Sequence, residues 1–109
     1  MEKNNSQFQV TPGVIEIPLS GQKLSKETTN LDIINKIGTD LYRDNKDFIR
    51  EKVNDNWYAV IEPISGDLIA SENPLKLYER TQQKYPNRLF YVVGILKNST
   101  INYLYADRT

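Results

Sequence analysis

Residues 57–70 read WYAVIEPISGDLIA, and the fold of the chain turns on them. Trp57 to Glu62 is rich in β-branched and aromatic residues, Pro63 to Asp67 has the composition of a tight turn, and Leu68 to Ala70 is apolar again. Such a run reads as two short strands joined by a turn. Gly66 supplies the positive φ that the turn requires, because a residue without Cβ enters the left-handed region at no steric cost.

Toward the C-terminus, Asn73-Pro74 predicts a helix start: an N-cap, then proline at the first helical position, where the missing N–H is not needed. Leu75, Tyr78 and Tyr85, with Gln82 between them, fall on one helical face, flanked by Leu77 and Thr81. The helix stops before Pro86, since the residue preceding proline is pushed out of the α region. LFYVVGIL, residues 89–96, is apolar at both parities, which predicts an interior strand covered on each side. Asn98 to Thr100 turns, and a last strand from Ile101 to Tyr105 puts Ile101, Tyr103 and Tyr105 on one face.

Toward the N-terminus, Asn54-Asp55-Asn56 closes a helical region over 30–53. Thr29 or Asn30 caps it, Asp32 sits in the first turn, and Ile34, Ile37 and Leu41 recur at helical spacing. Gly38 costs about 1 kcal/mol against alanine inside a helix. With Asp44-Asn45 as a stop, it predicts one kinked helix or two short ones, the second anchored by Phe48, Ile49 and Val53. Residues 1–29 form a polar arm, interrupted by VTPGVIEIPLSG (Val10 to Gly21), where Ile15, Ile17 and Leu19 alternate with Glu16 and Pro18. Because Pro18 cannot donate to a ladder, this segment reads as an edge strand or an extended docking arm.

Together these elements predict an α+β protein: a single domain over 30–109 with a small antiparallel four-stranded sheet (a ββαββ core), preceded by one or two helices and the arm over 1–29. A crossover helix between hairpins places the four strands in the order second, first, third, fourth, with the helices on one face.

Composition excludes much of the usual chemistry. The 109 residues contain no histidine and no cysteine, so disulfides, zinc knuckles, Cys-His dyads and Ser-His-Asp triads are absent. Fourteen basic side chains balance fourteen acidic ones, and the balance holds within each half of the chain. No hidden basic module exists to draw affinity from phosphate counterion release. The start, MEKNNSQFQV, lacks an apolar h-region, and no run of about 18 apolar residues occurs. The expectation is a cytoplasmic protein without a membrane segment.

Each candidate site in the sequence also has a plainer reading. Glu62, Asp67 and Glu72 surround the hairpin turn and could serve acid/base or magnesium chemistry, yet their spacing matches no metal motif. Carboxylates beside turns are ordinarily solvated, so no metal and no cofactor is expected. Ser20, Ser65, Ser71, Lys84 and Lys97 are the remaining nucleophiles, and the one Lys-Leu-Ser-Lys stretch, at 23–26, lies in the polar arm. No catalytic residue is assigned. Seven tyrosines, three phenylalanines and one tryptophan, beside Arg80, Lys84, Arg88 and Lys97, suit a single-stranded nucleic acid, but LFYVVGIL lacks the basic and glycine positions of an RNP motif.

Two signature stretches, NWYAVIEPISGDLIAS and PLKLYERTQQKYPNRLFYVVGI, resemble those of a group of small bacterial proteins of unknown function. The group's pattern is an aromatic residue with VAIE, then SGD, a helix, and a YPxxxF strand ending in valine or isoleucine. Here it falls on Tyr58 to Glu62, Ser65 to Asp67, Tyr85-Pro86 and Phe90 to Ile95, and INKIGTDLY (Ile34 to Tyr42) looks like the group's preceding helix. The likeness spans roughly residues 33–96. It implies a compact α+β module without assigned catalytic residues and, since some members are encoded beside a second small gene, a paired antitoxin-like or protease-associated partner. The arm and the tail LKNSTINYLYADRT depart from the pattern, and Leu68 to Ser71 lacks the aromatic that often follows SGD.

The expected function is therefore a non-enzymatic protein-protein interaction module, an adaptor or regulatory subunit. It would bind a partner or a second copy through the arm and an apolar sheet face, with Ile15, Ile17, Leu19, Tyr91, Tyr103 and Tyr105 in contact. The alternative is an antitoxin-like or single-stranded nucleic-acid-binding regulator using Arg80, Lys84 and Arg88.

Overall fold

A computed structural model describes residues 12–95 and 100–106, the last segment by its backbone path and register. It is an α+β fold. In chain order the elements are β1 (Val14–Pro18), α1 (Leu31–Asp44), α2 (Lys46–Lys52), β2 (Tyr58–Glu62), β3 (Asp67–Ser71), α3 (Pro74–Lys84), β4 (Leu89–Ile95) and β5 (Thr100–Ala106).

The hairpin forms where the sequence predicts it. Glu62 pairs with Asp67 at its closed end and Tyr58 with Ser71 at its open end. Gly66 adopts φ +79° and donates to the Glu62 carbonyl at 2.7 Å. Strand β4 joins the free side of β2 in antiparallel register, Tyr58 to Gly94 and Ile61 to Tyr91, and β5 follows on β4. These four strands lie in the expected order, β3-β2-β4-β5, and β4 is interior.

The sheet has a fifth strand. β1 pairs antiparallel with β3, Val14 opposite Ser71 and Pro18 opposite Asp67, and forms the outer edge there. Residues 14–19 therefore pack with the folded core. Beyond β1 the chain stays attached, since Leu19 N–H donates to Gly66 O at 3.0 Å and Leu24 N–H to Pro63 O at 2.9 Å.

The helices cover both faces rather than one, which corrects the single-sided expectation. The cause is the double apolarity of the strands. On one side Ala59, Ile61, Leu68, Ala70, Tyr91 and Val93 pack under Ile37, Leu41 and Tyr42 of α1 and Ile49 of α2. On the other, Val60, Ile69, Phe90 and Val92 meet Leu77 of α3, with Tyr85 just beyond its end. Burying each of the valine, leucine, isoleucine and phenylalanine side chains contributes about 1.5–3 kcal/mol.

Local signals set the helix ends. Asn30 caps α1, its side chain accepting from Asp32 N–H at 3.0 Å and Ile33 N–H at 3.3 Å. Asn73 does the same for α3 through Leu75 and Lys76. Helix α1 runs unbroken past Gly38 and stops at Asn45, where α2 begins. Two details differ from expectation. Phe48 is exposed while Ile49 and Val53 are buried, and α3 turns Leu77 and Thr81 inward while Leu75 faces solvent.

Candidate functional site

Three regions hold the chemistry-bearing side chains. The first is an ion-pair cluster on the α3 face. Glu16, at the centre of β1, projects toward α3 and meets Arg80 Nε and Lys84 Nζ, the latter at 2.8 Å. Lys84 also lies 3.3 Å from Asp67, whose carboxylate accepts a hydrogen bond from the Tyr85 hydroxyl. Burial alone would push the Glu16 carboxyl up, but hydrogen bonds and charge from Arg80 and Lys84 outweigh it and hold the group below its usual range. Burial likewise opposes the charge on Lys84, yet Glu16 and Asp67 leave its pKa raised. Tyr85 is raised by burial and by its bond to Asp67.

This cluster brings Ser65, Lys84 and Tyr85 together, and its electrostatics favour the protonated forms of the lysine and the phenol. A lysine held protonated and a phenol held neutral are both poor proton acceptors at pH 7. Of the other nucleophile candidates, the Ser71 hydroxyl accepts from Asn73 N–H at 3.0 Å, Ser20 is exposed, and Lys97 lies outside the described residues.

The second region is the closed end of the hairpin. Glu62 is 1% exposed. Its carboxylate accepts from Ile64 N–H at 3.1 Å and Ser65 N–H at 2.8 Å, and pairs with Arg88 at 3.0 Å. Glu62 and Asp67 are thus register neighbours with separate partners, and Glu72 is exposed. Among the described residues no group of three His, Cys, Asp or Glu could hold a metal ion.

The third region is the side of the sheet where β4 and β5 lie. Beside α3, an apolar groove of about 220 Å³ opens over the sheet, lined by Tyr58, Val60, Leu77, Tyr78, Phe90 and Val92. β5 is the outer strand, pairing only with β4 among the described residues. Its sequence, TINYLYA, contains no charge, no proline and no glycine.

The candidate contact residues distribute unevenly. Ile17, Leu19 and Tyr91 are 6%, 3% and 1% exposed, so the chain's own core occupies side chains expected to meet a partner. Ile15 is half-buried against the same core. The reason is the pairing of β1 with β3, which lays Val14–Pro18 against the chain's own sheet. Tyr103 and Tyr105 sit opposite Val92 and Phe90 in the register of β5 with β4. Arg80, Lys84 and Arg88 are each paired with a carboxylate, so a phosphate backbone would have to displace Glu16, Asp67, Glu62 or Glu27 to reach them.

Sequence reasoning missed two features. The buried Glu62–Arg88 pair joins two turns far apart in the chain, and no local spacing announces it. The place of β5 as the outer strand among the described residues was legible only once β4 was known to pair with it. Among the described residues no helix is long and apolar enough to cross a membrane. In comparisons with family models, curated proteins and solved structures, nothing matched this chain.

Proposed function

We propose that the protein is a non-enzymatic interaction module that binds a second copy of itself through β5. The observation that carries this reading is the contrast between the two outer strands of the sheet among the described residues. β1 is guarded: it is five residues long, ends in Pro18, which has no N–H to offer, and carries Glu16 in an ion-pair cluster. β5 is seven residues long and uncharged, with no proline. An outer strand of that kind presents a row of unpaired backbone donors and acceptors to any extended chain.

A second copy suits this edge best on charge grounds. A strand paired with itself about a two-fold axis needs a surface that does not repel its own image, and TINYLYA has no charge to repel. The whole chain is also neutral, so no long-range field keeps copies apart. Antiparallel pairing of β5 with its copy joins two five-stranded sheets into one and sets both apolar grooves on the same side, flanking the axis.

Light scattering on the full chain tests this. Tyr103 is the centre of β5, so Tyr103→Lys places two like charges opposite each other across the axis. The wild type should show twice the chain mass of 12.6 kDa and the variant the single mass, with unchanged far-UV circular dichroism. A wild type of 12.6 kDa at every concentration overturns the reading.

A further inference from the structure

A cleft of about 570 Å³ lies at the closed end of the hairpin, with none of the lining residues of the apolar groove beside α3 in its wall. Small-ligand sites span about 300–1,000 Å³. Its apolar wall comes from Leu24, Ile34, Pro63, Ile64 and Leu89, and its polar part centres on Arg88.

Arg88 is held in place from behind. Glu62, 1% exposed, takes its Nη1 at 3.0 Å, and the guanidinium lies 5.5 Å from the centre of the Tyr85 ring. Its Nε faces a different carboxylate, that of Glu27, at 3.3 Å. Glu27 belongs to the connector between β1 and α1, and its side chain is 74% exposed. The two carboxylates have unequal standing. Glu62 is locked by two turn amides as well as by Arg88, whereas an exposed ion pair such as Glu27–Arg88 contributes only about 0–1 kcal/mol.

We infer that the cleft is a binding site for a small monocarboxylate with an apolar body. Its carboxylate takes the place of Glu27 on Arg88 and its hydrocarbon lies against Leu24, Ile34 and Leu89. Glu27 is then a built-in competitor that occupies the anion position until a ligand displaces it. A preoriented arginine beside an apolar wall is suited to such a molecule, because the planar guanidinium donates to a carboxylate in a fixed direction.

Titration of the full chain with hexanoate, hexanol and hexylamine, followed by amide chemical shifts, tests the site. Hexanoate should shift the amides of residues 24–29, 62–64 and 87–89, and hexanol should bind about tenfold more weakly for want of a charged acceptor. Glu27→Gln removes the competitor and should tighten hexanoate about threefold. Arg88→Lys keeps a charge against Glu62 but loses the fork, and should weaken hexanoate. Preference for hexylamine, equal binding of hexanol, or no gain from Glu27→Gln would each overturn the assignment. Should Arg88→Lys fail to fold, the Glu27→Gln comparison still decides it.

Discussion

Gly38 of α1 lies directly against Tyr91 of β4, so closely that a Cβ at position 38 would overlap the ring and Cβ of the tyrosine. Tyr91 is 1% exposed and sits beneath the helix. The glycine is what allows α1 to approach the sheet at this height.

Gly38→Ala therefore sets two effects against each other. In an exposed helix the change would stabilise by about 1 kcal/mol. Here overlap with a buried ring should dominate and destabilise by about 2–3 kcal/mol. Thermal unfolding should show Tm lowered by roughly 10 °C. A raised Tm would mean that α1 can move away from Tyr91 without loss.

The segment before α1 carries a second prediction. Leu19 is 3% exposed, just past β1, and its N–H donates to Gly66 O. Leu19→Ala should cost about 2–5 kcal/mol in denaturant unfolding, as for any leucine cut back in a packed core. A cost within experimental error would show that the segment rests on the surface.

Glu16 gives a pH dependence whose sign can be worked out. Its carboxyl is held below the ordinary value of 4.5 in the folded chain, so folding keeps it charged where the unfolded chain binds a proton. The contribution is present above 4.5 and is lost as pH falls through the folded value. Glu16→Gln should cost about 1 kcal/mol at neutral pH and converge with the wild type in acid. A constant difference down to the lowest pH would detach the effect from titration.

Helix capping makes the remaining stability prediction. Asn73 accepts from Leu75 N–H at 2.9 Å and Lys76 N–H at 3.3 Å. Asn73→Ala should cost about 1 kcal/mol in chemical denaturation, and Asn73→Ser should recover most of it. Equal losses in both would assign the effect to something other than the cap.

These residues also show why parts of the fold were readable in the sequence. Gly66, Asn73-Pro74 and the stop before Pro86 are local signals, decided within a few residues, and each marks the turn or helix end that forms. LFYVVGIL carried longer-range information, since apolarity at both parities requires cover on two sides, and α1 and α3 supply it. What was misread depended on contacts distant in sequence. Gly38 read only as a cost to the helix, because its partner, Tyr91, lies on another element. Leu75 and Leu77, two positions apart, lie on nearly opposite faces of a short helix, and only the position of the sheet selects Leu77. Ile17 and Leu19 alternate equally well for a docking arm and for an edge strand. Arg88 looked like a free cation until the fold set it beside Glu62.

The central claim is that β5 pairs with β5 of a second copy, and a mixed-label experiment tests it most directly. Uniformly 13C,15N-labelled chain is combined with unlabelled chain, and isotope-filtered NOEs report only contacts between different molecules. Cross-strand NOEs confined to the amides and α-protons of residues 100–106, symmetric about Tyr103, are the predicted result. Intermolecular NOEs located elsewhere, or none at concentrations where the chain remains folded, would contradict it.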